Sequence, residues 1–374
     1  MRTDSDGVDV SRSAQPQAAA AGRAPARGPT RRAILAFAAL GAAAGLPDGS
    51  PAASPSGAED KFDPAPRRID VHHHFFPPAW LDVMRQRGAA PSPAQRDWSG
   101  AQVLEHMDKC GVATAIASLS PWGVAFADVA QLRQTARACN DFAAEMSRDH
   151  PGRFGLFAAM PLPDVDATLK EIAYVLDTLK ADGIGLMTSY GDKWPGDSDF
   201  RPVFEELDRR KAVVYFHPTT ANCCGNLLPG VSPAQMEWPF DTTRAAASLL
   251  YSGSLARYSN IRFIFSHAGG AIPALAGRLA AMSRACKELA AIAPQGVVAE
   301  LAKLRYDTSN ADFAPTMAAL LKFVPVSQIV FGTDYPYFSL EDNVAGIGAI
   351  PLMAADRQAI NRGNAARLMP RYAS

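Results

Sequence analysis

Four short runs of strand-forming residues in this chain each close on a histidine or an aspartate. They are Ile69-Asp70-Val71-His72-His73-His74, Val213-Val214-Tyr215-Phe216-His217-Pro218, Phe263-Ile264-Phe265-Ser266-His267-Ala268-Gly269-Gly270 and Val330-Phe331-Gly332-Thr333-Asp334-Tyr335-Pro336. Side chains alternate between the two faces of a strand, so His72 and His74 share one face and His73 takes the other. Two imidazoles on one face, joined by a histidine and a carboxylate from other strand ends, are able to enclose a divalent metal. The chain has only seven histidines in 374 residues. Four of them sit in these clusters at matching parity. A metalloenzyme is the expectation.

From Ile69 onward, short apolar runs alternate with longer helical patterns. Strands are expected at Arg68–His72, Val112–Leu119, Phe154–Met160, Ile184–Ser189, Val213–His217, Ile261–His267, Leu304–Thr308 and Gln328–Gly332. Helices are expected near Gly100–Cys110, Ala127–His150, Asp164–Ala181, Phe200–Lys211, Asp241–Tyr251, Ala271–Ala293, Pro315–Phe323 and Ala354–Leu368. Asp164 and Asp241 suit N-caps, and Gly111 and Gly183 stand where a helix hands over to a strand. Several strands are apolar throughout, as parallel strands buried on both faces require. Eight such units over roughly 250 residues match a (β/α)8 TIM barrel, an α/β fold. The competing doubly wound sheet usually carries a Gly-rich turn after its first strand. Here His73-His74-Phe75-Phe76-Pro77-Pro78 follows instead, which favours the barrel. Two long loops, Phe75–Ser99 and Thr219–Phe240, are expected to wall a substrate pocket, since long loops in compact domains are usually functional.

The 37 basic and 37 acidic residues cancel, so no global field points to nucleic acid or an anionic membrane. Five cysteines, two of them adjacent and none in a CxxC pair, suggest neither a disulfide framework nor a thiolate zinc site. Residues 1–60 are a different material, rich in Ala, Pro, Gly and Ser, and precede a catalytic domain at 61–374. Within them, Thr30-Arg31-Arg32-Ala33-Ile34-Leu35 leads into an apolar stretch ending near Gly45, with Ala42-Ala43-Ala44 as a cleavage signal. This pattern reads as a twin-arginine signal peptide and predicts a periplasmic or secreted protein, with a cytoplasmic one as the alternative. The apolar run is too short to span a bilayer, so no stable membrane insertion is expected after processing.

Catalytic residues of a barrel lie at the C-terminal ends of its strands. His72, His74, His217 and Asp334 all fall there and are the expected metal ligands. Three imidazoles and a carboxylate suit zinc, with manganese or iron as alternatives. His267 is expected to move a proton beside a metal-bound water, with direct ligation as the competing role. Gly269 and Gly270 would let backbone and substrate approach closely. The fourth strand offers no lysine or glutamate to bridge two ions, so the site is expected to hold one.

In order, the H-x-H after strand 1, His217-Pro218, Ser266-His267-Ala268-Gly269-Gly270, Tyr306-Asp307-Thr308-Ser309 and Gly332-Thr333-Asp334-Tyr335-Pro336 resemble the amidohydrolase superfamily. The resemblance covers about Arg68 to Leu368 and is to the aminocarboxymuconate-semialdehyde decarboxylase-like branch. Asp70-Val71-His72-His73-His74-Phe75-Phe76-Pro77-Pro78 and Phe240-Asp241-Thr242-Thr243-Arg244 look most like its methylsalicylate decarboxylase members. The resemblance implies the same four ligands, a catalytic His267, and an Arg278 that reaches the substrate carboxylate of a neighbouring subunit, hence a homodimer. It also implies non-oxidative decarboxylation of a small aromatic or unsaturated carboxylic acid, with Asp334 or His267 delivering the proton. Trp122, Trp194, Trp238 and Tyr337 are candidate aromatic walls. Metal-dependent hydrolysis of a lactone, ester or amide is the alternative reaction.

Overall fold

The strands of this protein pair in parallel, in chain order, as one eight-stranded sheet. They are β1 (Arg68–His74), β2 (Val112–Ser118), β3 (Phe154–Ala159), β4 (Gly183–Met187), β5 (Val213–His217), β6 (Arg262–Phe265), β7 (Arg305–Asp307) and β8 (Ile329–Val330). A computed structural model describes residues 67–119, 128–225, 227–283 and 291–373. The expected leader with its paired arginines lies outside the described residues, as does Trp122. Among the described residues no helix is long and apolar enough to cross a membrane.

The two ends of the sheet meet. Val71 N–H donates to Phe331 O at 2.9 Å and His74 N–H to Tyr335 O at 2.8 Å. These bonds draw the chain after β8 alongside β1 and give the TIM barrel expected from the sequence. β1, β3 and β5 are buried along their whole length, because helices cover the outside of a ring whose inside is filled by its own side chains. Ile69, Val71, Phe157, Val213, Tyr215 and Ile264 belong to one buried cluster, which Met369 and Tyr372 at the C-terminus also join. The pairing of β1 with β2 shifts register between Asp70 and His73. This irregularity lets Val71 pack in the Tyr215 cluster while its neighbour His72 also meets the Tyr215 ring, at 5.4 Å.

Asp164 caps its helix as expected, its side chain accepting from Ala167 N–H at 3.0 Å. Asp241 does not cap: it lies inside the helix Pro233–Tyr251, which begins well before it. Both long loops contain helix the sequence did not announce, Pro78–Gln86, Pro93–Arg96 and the first part of Pro233–Tyr251. Each starts on a proline. A proline at the first helical position lacks only an N–H that would have no partner there, so it begins a helix as readily as it breaks one. A further helix, Leu340–Ala349, follows β8. The final helical stretch is one element in sequence but carries a π-turn at Ala359–Gly363. There Ile360 O accepts from Phe331 N–H at 3.1 Å. That bond ends β8 early, because its next donor goes to a helix.

The tightest backbone approach in the wall is at Gly183, where an added Cβ would lie 2.5 Å from Val213 O. Strand backbone cannot yield as a flexible side chain would. Gly183→Ala is therefore expected to destabilise the barrel by about 1–3 kcal/mol, read as a lower midpoint in thermal unfolding with the folded circular dichroism spectrum unchanged.

Candidate metal centre

Four imidazoles converge on one carboxylate at the C-terminal mouth of the barrel. His72 Nε2 lies 3.2 Å, His74 Nε2 2.9 Å and His217 Nε2 4.0 Å from Asp334 Oδ1. His267 Nε2 lies 3.1 Å from Asp334 Oδ2. One donor atom each from His72, His217, His267 and Asp334 falls within 4.8 Å of the others. His74 joins this group through its bond to Asp334. The structure thus brings together all five residues expected at the centre, and places His267 as close to the carboxylate as the expected ligands.

The outward nitrogens of three imidazoles are tied down. His72 Nδ1 meets Asp307 Oδ2 at 2.8 Å, His74 Nδ1 meets Ser118 O at 3.1 Å, and His217 Nδ1 meets Pro218 O at 2.9 Å. Each partner is an acceptor, so each Nδ1 carries a proton and each Nε2 is turned toward the centre. His72 Nε2 and His217 Nε2 are buried there without a hydrogen-bond partner. Buried polar atoms rarely go unpaired, and imidazoles oriented by carboxylate or carbonyl partners are the usual preparation for a metal. The donor set fits one divalent ion.

The charges agree with this. Burial opposes a charge on His72, but Asp334 and Asp307 together overcome it and raise the imidazole to about 10. Burial pushes His217 down to about 3, with His74 and His72 acting in the same sense. His74 is lowered by burial as well. Burial would lift Asp334, yet the charge of His72 and the imidazoles of His217 and His267 hold it well below the usual carboxylate range. Positive charge beside Asp334 is therefore favoured on His72 and disfavoured on His74 and His217.

Two carboxylates brace the cluster, and the sequence reading gave neither a role. Asp307 Oδ1 accepts from His267 N–H at 2.8 Å and Ser309 N–H at 3.1 Å, while its Oδ2 holds His72. Asp70 accepts from His72 N–H and Thr333 N–H, both at 3.1 Å, and from Thr333 Oγ1 at 2.7 Å. It also holds His73 Nδ1 at 3.0 Å, which keeps that ring on the far face, stacked on Tyr335 at 5.0 Å. Asp70 stands on the same strand as His72 and His73, and that adjacency was its available signal; Asp307 had only its place in Tyr306-Asp307-Thr308-Ser309, since His72 and His267 are distant from it in sequence.

Backbone conformation sharpens the aim of two side chains. His267 and Asp334 have φ of 54° and 63°, and Ala268 has 53°. Such left-handed values are uncommon outside glycine and gather at functional sites. Gly269 and Gly270 serve packing against protein: an added Cβ would meet the Tyr306 ring at 2.4 Å or Pro239 O at 2.0 Å.

Around the centre, Tyr337 lies edge-on to His74 at 5.5 Å between ring centroids, and Trp238 to His217 at 6.0 Å. Trp194 instead donates to Asp241 Oδ1 at 2.8 Å. Asp241 also accepts from Ser189 Oγ at 2.9 Å and from Thr188 Oγ1. A cavity reaching His217 is lined by Leu119, Met160, Met187 and Tyr190 among others. Arg278 is exposed on the helix Ile272–Ser283 and makes no hydrogen bond or ion pair with any described residue.

Asp307→Asn isolates the brace from the fold. The amide oxygen can still accept from His267 and Ser309, but the amide NH2 would face His72 Nδ1 with a donor. Affinity for a divalent ion is expected to fall roughly 10- to 100-fold, measured by chelator competition, with the melting temperature close to that of the parent.

Comparison with known proteins places this geometry in a family. The model of the amidohydrolase family (Amidohydro_2) matches residues 69–371. A decarboxylase of Aspergillus niger, yanB, is 34% identical over 82% of this chain and 88% of its own length. The 6-methylsalicylic acid decarboxylase of Penicillium expansum is 35% identical over 72% of this chain and 85% of its own. Among solved structures, the 5-carboxyvanillate decarboxylase of Novosphingobium aromaticivorans, complexed with manganese, superposes with a TM-score of 0.74 at 20% identity, covering 81% of this chain and 96% of that one. At that identity it supports the fold alone. With the family match running from β1 through residue 371, the chain belongs to the amidohydrolase family.

Proposed function

We propose that this protein is a metal-dependent non-oxidative decarboxylase, a carboxy-lyase, acting on a small aromatic acid of the salicylate type. The observation that carries the reading is the pair of inward, unpartnered imidazole nitrogens on His72 and His217 beside Asp334, in a chain whose relatives near 35% identity are decarboxylases.

Direct loss of carbon dioxide from an aromatic ring leaves a carbanion on an sp2 carbon, which is very unfavourable. Protonation of that carbon before the C–C bond breaks avoids it. His72, His74, His217 and Asp334 would hold the ion, and a divalent ion there supplies positive charge for the carboxylate and adjacent phenol oxygen of the substrate. Asp334 Oδ2 and His267 Nε2, 3.1 Å apart, are the groups placed to store the proton and pass it to the ring. His267 Nδ1 is buried and unpartnered. Tyr337 and Trp238 flank the ligand imidazoles and offer flat apolar surface to an aromatic ring.

Zinc is our assignment for the ion, since three imidazoles and a carboxylate are its usual ligands; manganese is the competitor, because a structural neighbour was solved with it. We also propose export by the twin-arginine route, from residues 30–45, and a homodimer in which Arg278 grips the carboxylate of a substrate bound by the partner. A guanidinium binds a carboxylate bidentately, and Arg278 is exposed for such a role. Arg278→Ala is expected to raise KM with metal content unchanged, and equal KM values in mutant and parent would remove this assignment.

The central test is release of carbon dioxide from a panel of hydroxybenzoates by protein whose metal has been identified by elemental analysis. Turnover of a salicylate-type acid is expected; hydrolysis of lactones or esters with no carbon dioxide would favour the alternative reaction instead. His267→Gln is expected to lose about 10²- to 10⁴-fold in kcat while keeping its metal, as removal of a proton-transfer group does. Loss of the metal in that variant would make His267 a ligand.

A further inference from the structure

Away from the metal centre, two adjacent thiols stand in the segment that follows β5. Cys223 and Cys224 lie on the short 3-10 turn Asn222–Cys224, a few residues after His217. Their sulfurs lie side by side, in direct contact. Cys223 is exposed and Cys224 is buried, so one sulfur can be reached from solvent and the other is kept beside it. The turn is anchored against the loop after β4. Asn222 N–H donates to Gly191 O at 3.3 Å and Cys223 N–H to Asp192 Oδ1 at 2.9 Å. Cys224 N–H donates to Ala221 O at 2.9 Å. Cys110 and Cys139, by contrast, are both buried, and neither has a reachable neighbouring thiol among the described residues.

We propose that Cys223 and Cys224 form a reversible redox site that takes up a small-molecule disulfide such as oxidised glutathione and closes to a vicinal disulfide. In the first step the Cys223 thiolate attacks one sulfur of glutathione disulfide; a mixed disulfide forms and one glutathione thiolate leaves. In the second, the Cys224 thiolate attacks the Cys223 sulfur and expels the other glutathione. The two protein thiols are oxidised, the glutathione disulfide is reduced to two thiols, and the two protons pass to solvent or to the departing thiolates. The second step is fast by proximity, because the attacking sulfur is already in contact. A disulfide between neighbouring residues is strained, and strained disulfides are readily reduced, so the site is a reversible one. The Cys224 thiol beside it pushes the Cys223 thiol up to about 11. Thiolate is therefore scarce at neutral pH, and oxidation should accelerate as pH rises toward that value.

The inference is independent of the reaction at the metal centre. Its test treats the full chain with oxidised glutathione at mildly alkaline pH, quenches in acid, and maps peptides by mass spectrometry. The peptide holding both cysteines is expected to lose two hydrogens, to carry no glutathione, and to regain its mass with dithiothreitol. Cys224→Ser should stop the sequence after its first step and leave a glutathione adduct on Cys223. An unmodified peptide, a stable adduct on Cys223 in the parent protein, or a cross-link between two chains would each overturn the proposal. The parent measurement decides the matter even if the variant folds poorly.

Discussion

The interaction on which this structure most depends is the contact between the Asp334 carboxylate and the imidazoles around it. A carboxylate this deeply buried costs several kcal/mol unless positive charge and hydrogen bonds compensate it. His72 and His74 bring that compensation from the first strand of the barrel and His267 from beyond the sixth. The backbone is held by the same partner. Asp334 N–H donates to His72 O at 2.7 Å, and Asp334 O accepts from Tyr337 N–H at 2.9 Å. These two bonds flank the left-handed residue and offset the cost of its φ of 63°. Closing the ring and assembling the metal centre are thus one event: the segment after β8 cannot bond to β1 without delivering Asp334 to the histidines.

Asp70 and Asp307 make that delivery rigid. Asp70 grips the Thr333 backbone and hydroxyl, which fixes the residue immediately before Asp334. Asp307 spans His72 and the His267 backbone, and Tyr215 Oη approaches it at 3.3 Å. Ligands positioned by strand ends and by carboxylates that are themselves saturated with donors have little freedom to drift. A metal site needs that, because its affinity depends on donors that are already in place.

Much of this was legible in the sequence, and for identifiable reasons. The strands are short apolar runs with polar ends, so parity along His72-His73-His74 correctly separated the two inward rings from the outward one. The spacing of eight such runs was enough for the barrel. What could not be read came from interactions between distant residues. The fate of Phe331 N–H depends on a π-turn in the last helix, so the end of β8 was placed too late. The role of Asp307 depends on His72, which lies far from it in sequence. Asp241 looked like a cap because a helix was expected to begin there, yet it is buried and bound by Thr188, Ser189 and Trp194, ties that only the folded loops create.

Three prolines mark the clearest division of labour. Pro78, Pro93 and Pro233 begin helices within the two long connections at the mouth of the barrel. One of these helices reaches back toward the centre: Gln95 donates to Tyr337 Oη at 2.7 Å, and Tyr337 stands edge-on to His74. The surroundings of the ion are therefore set by proline-led helices outside the sheet, whereas the ligands themselves are set by strand ends. Among the described residues, none of those helices bonds directly to Asp334, Asp70 or Asp307. The frame that gathers the imidazoles and the wall around it are thus specified by different segments, the wall by those where sequence periodicity says least.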